Sequence, residues 1–376
     1  MPLKCLRGEE EIFAFDVEDD AAWERLREGN AKARDLRMPC CGAAVVLRKS
    51  PLGTRHFAHA RRGPCSSAPE TAEHLLAKRI VVEGIKRTAW SVRTEQEGTT
   101  PDGERWRADV LAAKGRAKVA VEIQWSRQDG DETLRRQGRY EEAGVRGLWL
   151  FRQIDLPLFI DVIPAFRLRF DAAAQSFSVS LPSVLYHPKR IRPKDKDDPK
   201  WWSQTVELSK FAEGAVSGRL RFAPTLGATI PLEIHATPAT CRLCGERTRL
   251  VTFMTLAASK VFPGHPNIPL SLRTLDGILG GEEFVERWLP ASLLAKNGIG
   301  ALRTRKSGLD VEKRESYLSN GCVGCGAMQA RWFEDRLSGD DEELAFAADV
   351  LFDAGLAAQL PNFGTHVERW WFDERD

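Results

Sequence analysis

The chain is 376 residues long, with 43% hydrophobic residues, 29% charged residues and a formal net charge of +2. That length exceeds what one hydrophobic core usually holds and points to two or three domains. No apolar stretch approaches the ~20 residues of a spanning helix, and the N-terminus MPLKCLRGEEEIF turns acidic where a signal peptide is apolar, so a cytoplasmic chain with no membrane partner is expected. The near-neutral total conceals local basicity, with arginine concentrated in 127–152 and in KRIRPKDKDDPK at 189–200. A local basic face is enough for nucleic acid, so that class of partner stays open.

Residues 4–16 read as two short strands joined at Arg7-Gly8, and 19–33 as a solvent-exposed helix carrying Ala22, Leu26 and Ala33 among charges. A helix follows from about 68 to 87, where Ser67 with Glu70 has the spacing of a capping box and Pro69 fits the first turn. Runs at 89–95, 104–113 and 117–125 alternate or are apolar and are separated by turn residues, so they read as strands. A helix at about 131–144 ends at Gly144 and precedes the apolar strand 147–152. Residues 166–187 alternate like a hairpin, 188–200 has the Pro, Lys and Asp content of a linker, and 205–236 looks β-rich. A helical insertion is expected at about 282–297 and an apolar helix at 343–358. Four regions result: 1–67, a β-rich zinc-finger-like region; 68–165, a mixed α/β core; 166–236, a β-rich extension; and 237–376, a zinc-ribbon-like region with a helical insertion and tail.

Eight cysteines fall mostly into two groups with short spacings, which favours metal over disulfide in a reducing compartment. CRLCG at 241–245 and CVGCG at 322–326 are two CxxCG knuckles, and Cys241, Cys244, Cys322 and Cys325 would hold one structural Zn²⁺ tetrahedrally. In the first seventy residues, Cys41, His59 and Cys65 are the expected ligands of a second Zn²⁺, with Cys40 or His56 as the fourth. Cys5 stands apart as a small half-buried hydrophobe. Trp201, Trp202, Trp370 and Trp371 are either base-stacking groups or interface anchors.

The strand AVEIQWS places Ala120, Glu122 and Gln124 on one face and Val121, Ile123 and Trp125 on the other. If 104–113 pairs with 117–125, Asp109 and Glu122 come within a few ångströms. Two carboxylates there repel unless a cation such as Mg²⁺ or Mn²⁺ sits between them. On the 68–87 helix, Glu73 falls on the inward stripe with Leu76, Ala77 and Ile80, whereas Glu70 is accounted for by capping. Arg136 and Tyr140 lie four apart on one helix face, suited to contact phosphate or to support Gln124.

Helix Glu, strand Asp and then Glu-x-Gln on the next strand resembles the PD-(D/E)XK nuclease core. With RHFAHA (55–60), ETAEHLLAKRIV (70–81), RADVLA (107–112) and RRQGRYEEAGVRGLWLF (135–151), the chain resembles the competence protein CoiA-like family over roughly 1–155. The resemblance implies a restriction-endonuclease-like fold flanked by zinc modules, with Glu73, Asp109 and Glu122 as metal ligands. It also makes Gln124 the water-positioning residue, and Arg136 and Tyr140 supports. It implies a DNA nuclease of bacterial competence, recombination or defence, or else an idle DNA-binding adaptor that recruits recombination proteins. The superfamily usually has lysine where Gln124 stands, and an amide orients water but cannot lower its pKa by charge. CoiA-like sequences usually open the N-terminal cysteine group with Cys-Pro-x-Cys, and Met38 occupies the first of those positions.

Overall fold

The computed structural model describes residues 2–61, 70–153, 163–183, 198–263, 265–272, 275, 281–307, 315–329, 342–360 and 369–375. The chain is mixed α/β and divides into two compact units, Met1–Arg221 with Trp370–Asp376, and Phe222–Arg369. This differs from the four regions read from the sequence, because strands from the expected extension belong to the core sheet.

The first unit begins with strands β1 (Lys4–Arg7) and β2 (Glu10–Phe13), then helix α1 (Asp20–Ala33) and strand β3 (Leu36–Arg37). A hairpin of β4 (Val45–Lys49) and β5 (Arg55–His59) follows. Trp23 is the apolar anchor of α1, buried with its ring centroid 5.4 Å from that of Phe57. Cys5 and Met38 sit in the same small core, so neither faces a metal. Burial pushes the Cys5 thiol up to about 12, consistent with an inert hydrophobe.

Helix α2 (Ala72–Lys86) leads into β6 (Ser91–Thr99), β7 (Arg105–Lys114) and β8 (Ala117–Gln124). Helix α3 (Gly130–Glu142) then crosses over to β9 (Arg146–Phe151), which runs parallel to β8. Strands β10 (Ala165–Asp171), β11 (Ser176–Pro182) and β12 (Trp202–Glu207) extend the sheet, giving the order β12-β11-β10-β9-β8-β7-β6. The cap of α2 is Thr71, whose side chain accepts from the His74 N–H, and not Ser67. Ser67 and Pro69 lie outside the described residues, as does the expected linker up to 197. The stretch after β12, expected to be β-rich throughout, contains helix α4 (Leu208–Val216).

One face of the sheet packs against α2 and α4 through Leu76, Val81, Ile85, Val121, Ile123 and Phe211. A side chain at Gly84 would place its Cβ 2.4 Å from the Ser209 carbonyl oxygen, so only glycine lets α4 approach this closely. The opposite face carries Trp106, Ala108, Ala120, Tyr140 and Trp149. Trp201, Trp202 and Trp371 are buried, and Trp370 packs on the first core, which makes them packing groups rather than base-stacking surfaces.

The second unit is built on a four-stranded sheet, in the order Ile268–Leu270, Arg247–Leu256, Thr229–Thr240, Glu343–Leu351. Residues 343–351 form a strand, not the first half of a helix. Antiparallel pairing with Thr229–Thr240 overrides the helical preference of an Ala- and Leu-rich run. Only Ala354–Gln359 of the expected helix is helical. The insertion at 282–297 is two short helices, Gly281–Trp288 and Ala291–Lys296, interrupted at Pro290. Among the described residues, no helix is long and apolar enough to cross a membrane.

Candidate metal centre and active-site cleft

Pairing between β7 and β8 runs from Lys114–Ala117 to Val110–Val121 and stops there. Beyond that point the Ile123 N–H has no strand partner on the β7 side, and Asp109 Oδ2 accepts it at 3.0 Å. The two strands therefore part where the sequence places its acids. The gap opens into a cleft of about 530 Å³ lined by Glu70, His74, Asp109, Glu122, Gln124, Arg136 and Tyr140, among others.

A distortion in the neighbouring strand shapes the same place. In the β6–β7 register Thr94 opposes Val110 and Gln96 opposes Ala108 without a shift, so Glu95 lies across from Asp109 at the one position where the ladder skips a pair. Glu95 has φ 47°, an uncommon conformation for a residue with a side chain. The Glu95 carboxylate meets Lys78 Nζ, which is fully buried in α2. Lys78 also donates to Glu70 Oε1 at 2.9 Å and lies 3.8 Å from Asp109 Oδ1. Burial opposes the charge on Lys78, yet Glu70, Glu95 and Asp109 together raise its pKa above the ordinary lysine value.

Glu70, His74 and Asp109 each offer one ligand atom, and these atoms lie within 4.8 Å of one another. His74 Nε2 is 3.4 Å from Asp109 Oδ2, and Nδ1 is 3.5 Å from Glu70 Oε1. Burial works against ionisation of Asp109, but the charges of His74 and Lys78 outweigh it and hold the carboxyl well below the usual range. The helix acid that faces Asp109 is thus Glu70 and not Glu73. Glu73 is half-exposed and does not line the cleft. Once Thr71 takes the cap, Glu70 is free to turn inward. A signal for it exists in the sequence, because Glu70, His74 and Lys78 follow one another at intervals of four and make one helical stripe.

Glu122 is buried on the α3 face of β8. Tyr140 donates its hydroxyl to Glu122 Oε1, and Arg136 Nη2 pairs with Oε2. The Tyr140 hydroxyl oxygen also lies 3.0 Å from the Arg107 carbonyl, and the Arg136 guanidinium lies 5.1 Å from the Trp149 ring centroid. Arg136 and Tyr140 therefore hold Glu122 rather than Gln124. Burial, and then the charge of Asp109, pushes Glu122 up to about 6 even though Arg136 and Tyr140 favour its ionised form. The Gln124 amide lines the cleft but donates to the Ser126 carbonyl at 2.9 Å. Arg105 and Arg107, exposed on β7, and Arg139 on α3 add positive charge to the rim.

The cysteine groups lie elsewhere. Cys241 and Cys322 begin two turns of the same build. Gly245 N–H donates to Cys241 O and Gly326 N–H to Cys322 O, each at 2.9 Å, with both glycines at φ 72°. Leu243 and Gly324 N–H groups point at the Cys241 and Cys322 sulfurs at 3.4 Å. The Cys241–Cys325 and Cys244–Cys322 sulfurs are 3.8 and 3.7 Å apart. An ion with four Zn–S bonds of about 2.3 Å separates its sulfurs by about 3.8 Å, so the four thiols fit tetrahedral zinc. The N–H groups of Cys244 and Leu243 hold the Cys241 thiol down at about 6, whereas against the Glu246 backbone hydrogen bond the Cys325, Cys241 and Cys322 thiols push Cys244 up.

In the first unit Cys40, Cys41 and His59 also converge, with His59 Nε2 at 3.2 Å from Cys41 Sγ and 3.9 Å from Cys40 Sγ. His56 turns the other way along β5, buried with Nδ1 3.2 Å from the Thr54 carbonyl, so Cys40 and not His56 joins this group. Cys65 lies outside the described residues.

A mixed sheet whose parted strands gather carboxylates and a histidine beneath an arginine rim has the make-up of a nuclease-like domain. Residues 70–157 match the family described as competence protein CoiA, nuclease-like domain. No curated protein and no solved structure gives a match.

Proposed function

We propose that the chain is a divalent-metal-dependent DNA nuclease of the PD-(D/E)XK type acting in bacterial DNA processing, with zinc modules that stabilise its flanks. The observation that carries this reading is the cluster of Asp109, Glu122, Glu70 and His74 at the strand gap, inside the segment that matches a nuclease-like family. The donor set fits a Mg²⁺ or Mn²⁺ ion: acidic oxygens converge there, and the buried His74 Nε2 faces Asp109 Oδ2 at 3.4 Å. A bound ion would stabilise the negative charge that develops on a phosphodiester under attack by water. The protein's own groups have separable tasks. Arg105, Arg107 and Arg139 attract the phosphate backbone, whose neutralisation dominates affinity. Asp109 is already ionised at neutral pH, and Tyr140 and Arg136 fix the position of Glu122. Gln124 can orient water by hydrogen bonding once its amide leaves Ser126.

Purified protein incubated with linear, circular and single-stranded DNA plus Mg²⁺ or Mn²⁺ tests the reading. Cleavage should disappear in Asp109→Asn, with unchanged folding. The second reading, an adaptor that binds DNA and recruits recombination proteins, draws on the Gln124 amide being engaged with Ser126. DNA binding without cleavage under every metal would favour it.

A further inference from the structure

His74 is placed by the first turn of α2, with its ring between Glu70 and Asp109. Its Nε2 is sealed from solvent and faces Asp109 Oδ2 at 3.4 Å. Two donors each ~2.1 Å from one ion lie about 3.0–3.5 Å apart at octahedral to tetrahedral angles, so this separation suits a shared ion. On the other side of the ring, Nδ1 faces Glu70 Oε1 at 3.5 Å, and Lys78 holds that carboxylate at 2.9 Å. This is the order in which a ligating imidazole is usually supported, with a fixed carboxylate behind its second nitrogen.

Resting on the metal-dependent reading above, we propose that His74 ligates the metal through Nε2 beside Asp109, with Glu70 as the carboxylate that orients its ring, and that the site consequently selects Mn²⁺ over Mg²⁺. Imidazole nitrogen suits Mn²⁺ and other transition metals, whereas Mg²⁺ keeps an all-oxygen shell. Glu70 acts here as a positioning residue, and His74 supplies the selectivity.

The test uses the full chain with its cysteine sites loaded with zinc. Mn²⁺ binding is read from loss of the free-ion electron paramagnetic resonance signal, and Mg²⁺ is added as competitor. Wild type should bind Mn²⁺ with Mg²⁺ competing only at about tenfold or greater excess. His74→Ala should weaken Mn²⁺ about 100-fold and erase the preference, and Glu70→Gln should weaken it about tenfold. His74→Gln, which keeps a polar side chain on the helix, guards against a folding defect in the alanine variant, and circular dichroism confirms the fold of each. Mn²⁺ affinity and preference unchanged within twofold in both folded His74 variants, with binding still lost in Asp109→Asn, would overturn the role of His74 alone. Absence of Mn²⁺ and Mg²⁺ binding in folded wild type would overturn the metal-dependent reading and this inference with it.

Discussion

Replacing Lys78 with methionine removes the fully buried ammonium that faces Glu70, Glu95 and Asp109, while keeping an unbranched apolar stem of similar volume. Lys78 is completely buried and contacts Glu95 directly, with Glu70 at 2.9 Å and Asp109 Oδ1 at 3.8 Å. Truncating one member of a buried ion pair leaves an uncompensated charge, which destabilises by about 3–5 kcal/mol. Glu95 is the carboxylate left worst placed, because it is buried and its left-handed backbone at φ 47° is held between paired residues on either side in β6. Lys78→Met should therefore lose about 3–5 kcal/mol in urea denaturation followed by tryptophan fluorescence, without added Mg²⁺ or Mn²⁺. Glu95→Met alone should cost less, about 1–3 kcal/mol, since Lys78 keeps Glu70 and Asp109. The decisive variant is the double one: Glu95→Met should raise the stability of Lys78→Met although it lowers that of wild type. A Lys78→Met loss below about 1 kcal/mol, or losses that simply add in the double variant, would refute the network.

Glu122 gives a pH signature. Its folded pKa of about 6 lies above the ordinary glutamate value, so its contribution is complete in acid and is lost as pH rises through about 6. The stability of Glu122→Gln relative to wild type should thus rise by about 2 kcal/mol between pH 4 and pH 7, without added divalent metal. A pH-independent difference in denaturation midpoints would contradict it. Cys241→Ser or Cys322→Ser should remove one equivalent of zinc by elemental analysis and unfold the knuckles, whereas Cys5→Ser should leave the zinc content unchanged. Gly84→Val should cost at least about 1–3 kcal/mol through collision with the Ser209 carbonyl, read as a lowered thermal midpoint; an unchanged midpoint would mean that α4 is free to withdraw.

The parts legible in the sequence were those set by short-range rules. Alternation put Glu122 and Val121 on opposite faces of β8, and the CxxCG spacing marked two turns whose sulfurs meet at zinc-like distances. The errors arose where a local signal met competing partners. Ser67 and Glu70 matched a capping box, but Thr71 is the cap, and Glu70 turns to Lys78. Angular counting made Glu73 an inward residue because it shares a side with Leu76 and Ile80. Counting could not show that the cleft lies under the 70-74-78 stripe. The kink in β6 was invisible, since nothing in Arg-Thr-Glu-Gln announces that Glu95 adopts φ 47°. Residues 343–351 read as helix because their strand partner is more than a hundred positions away.

The amide at 124 therefore has a different meaning once the fold is known. The resemblance expects lysine on the strand two residues after Glu122, and Gln124 by itself would leave the site short of a positive charge. Lys78 reaches the same carboxylates from α2, with Nζ 3.8 Å from Asp109 Oδ1, so the cluster does contain a lysine supplied by another element. Its placement behind Asp109, sealed by Glu70 and Glu95, suits it to keep carboxylates ionised rather than to touch substrate. On the proposed reading, water orientation is separated from charge: Gln124 would orient water at the cleft wall and Lys78 would supply the charge beneath it. Gln124→Ala and Lys78→Met should consequently differ in kind. The first should lower turnover with DNA binding and stability intact, and the second should lower stability as well. Equal loss of stability in both variants would mean that Gln124 is a structural group and that the division of tasks is wrong.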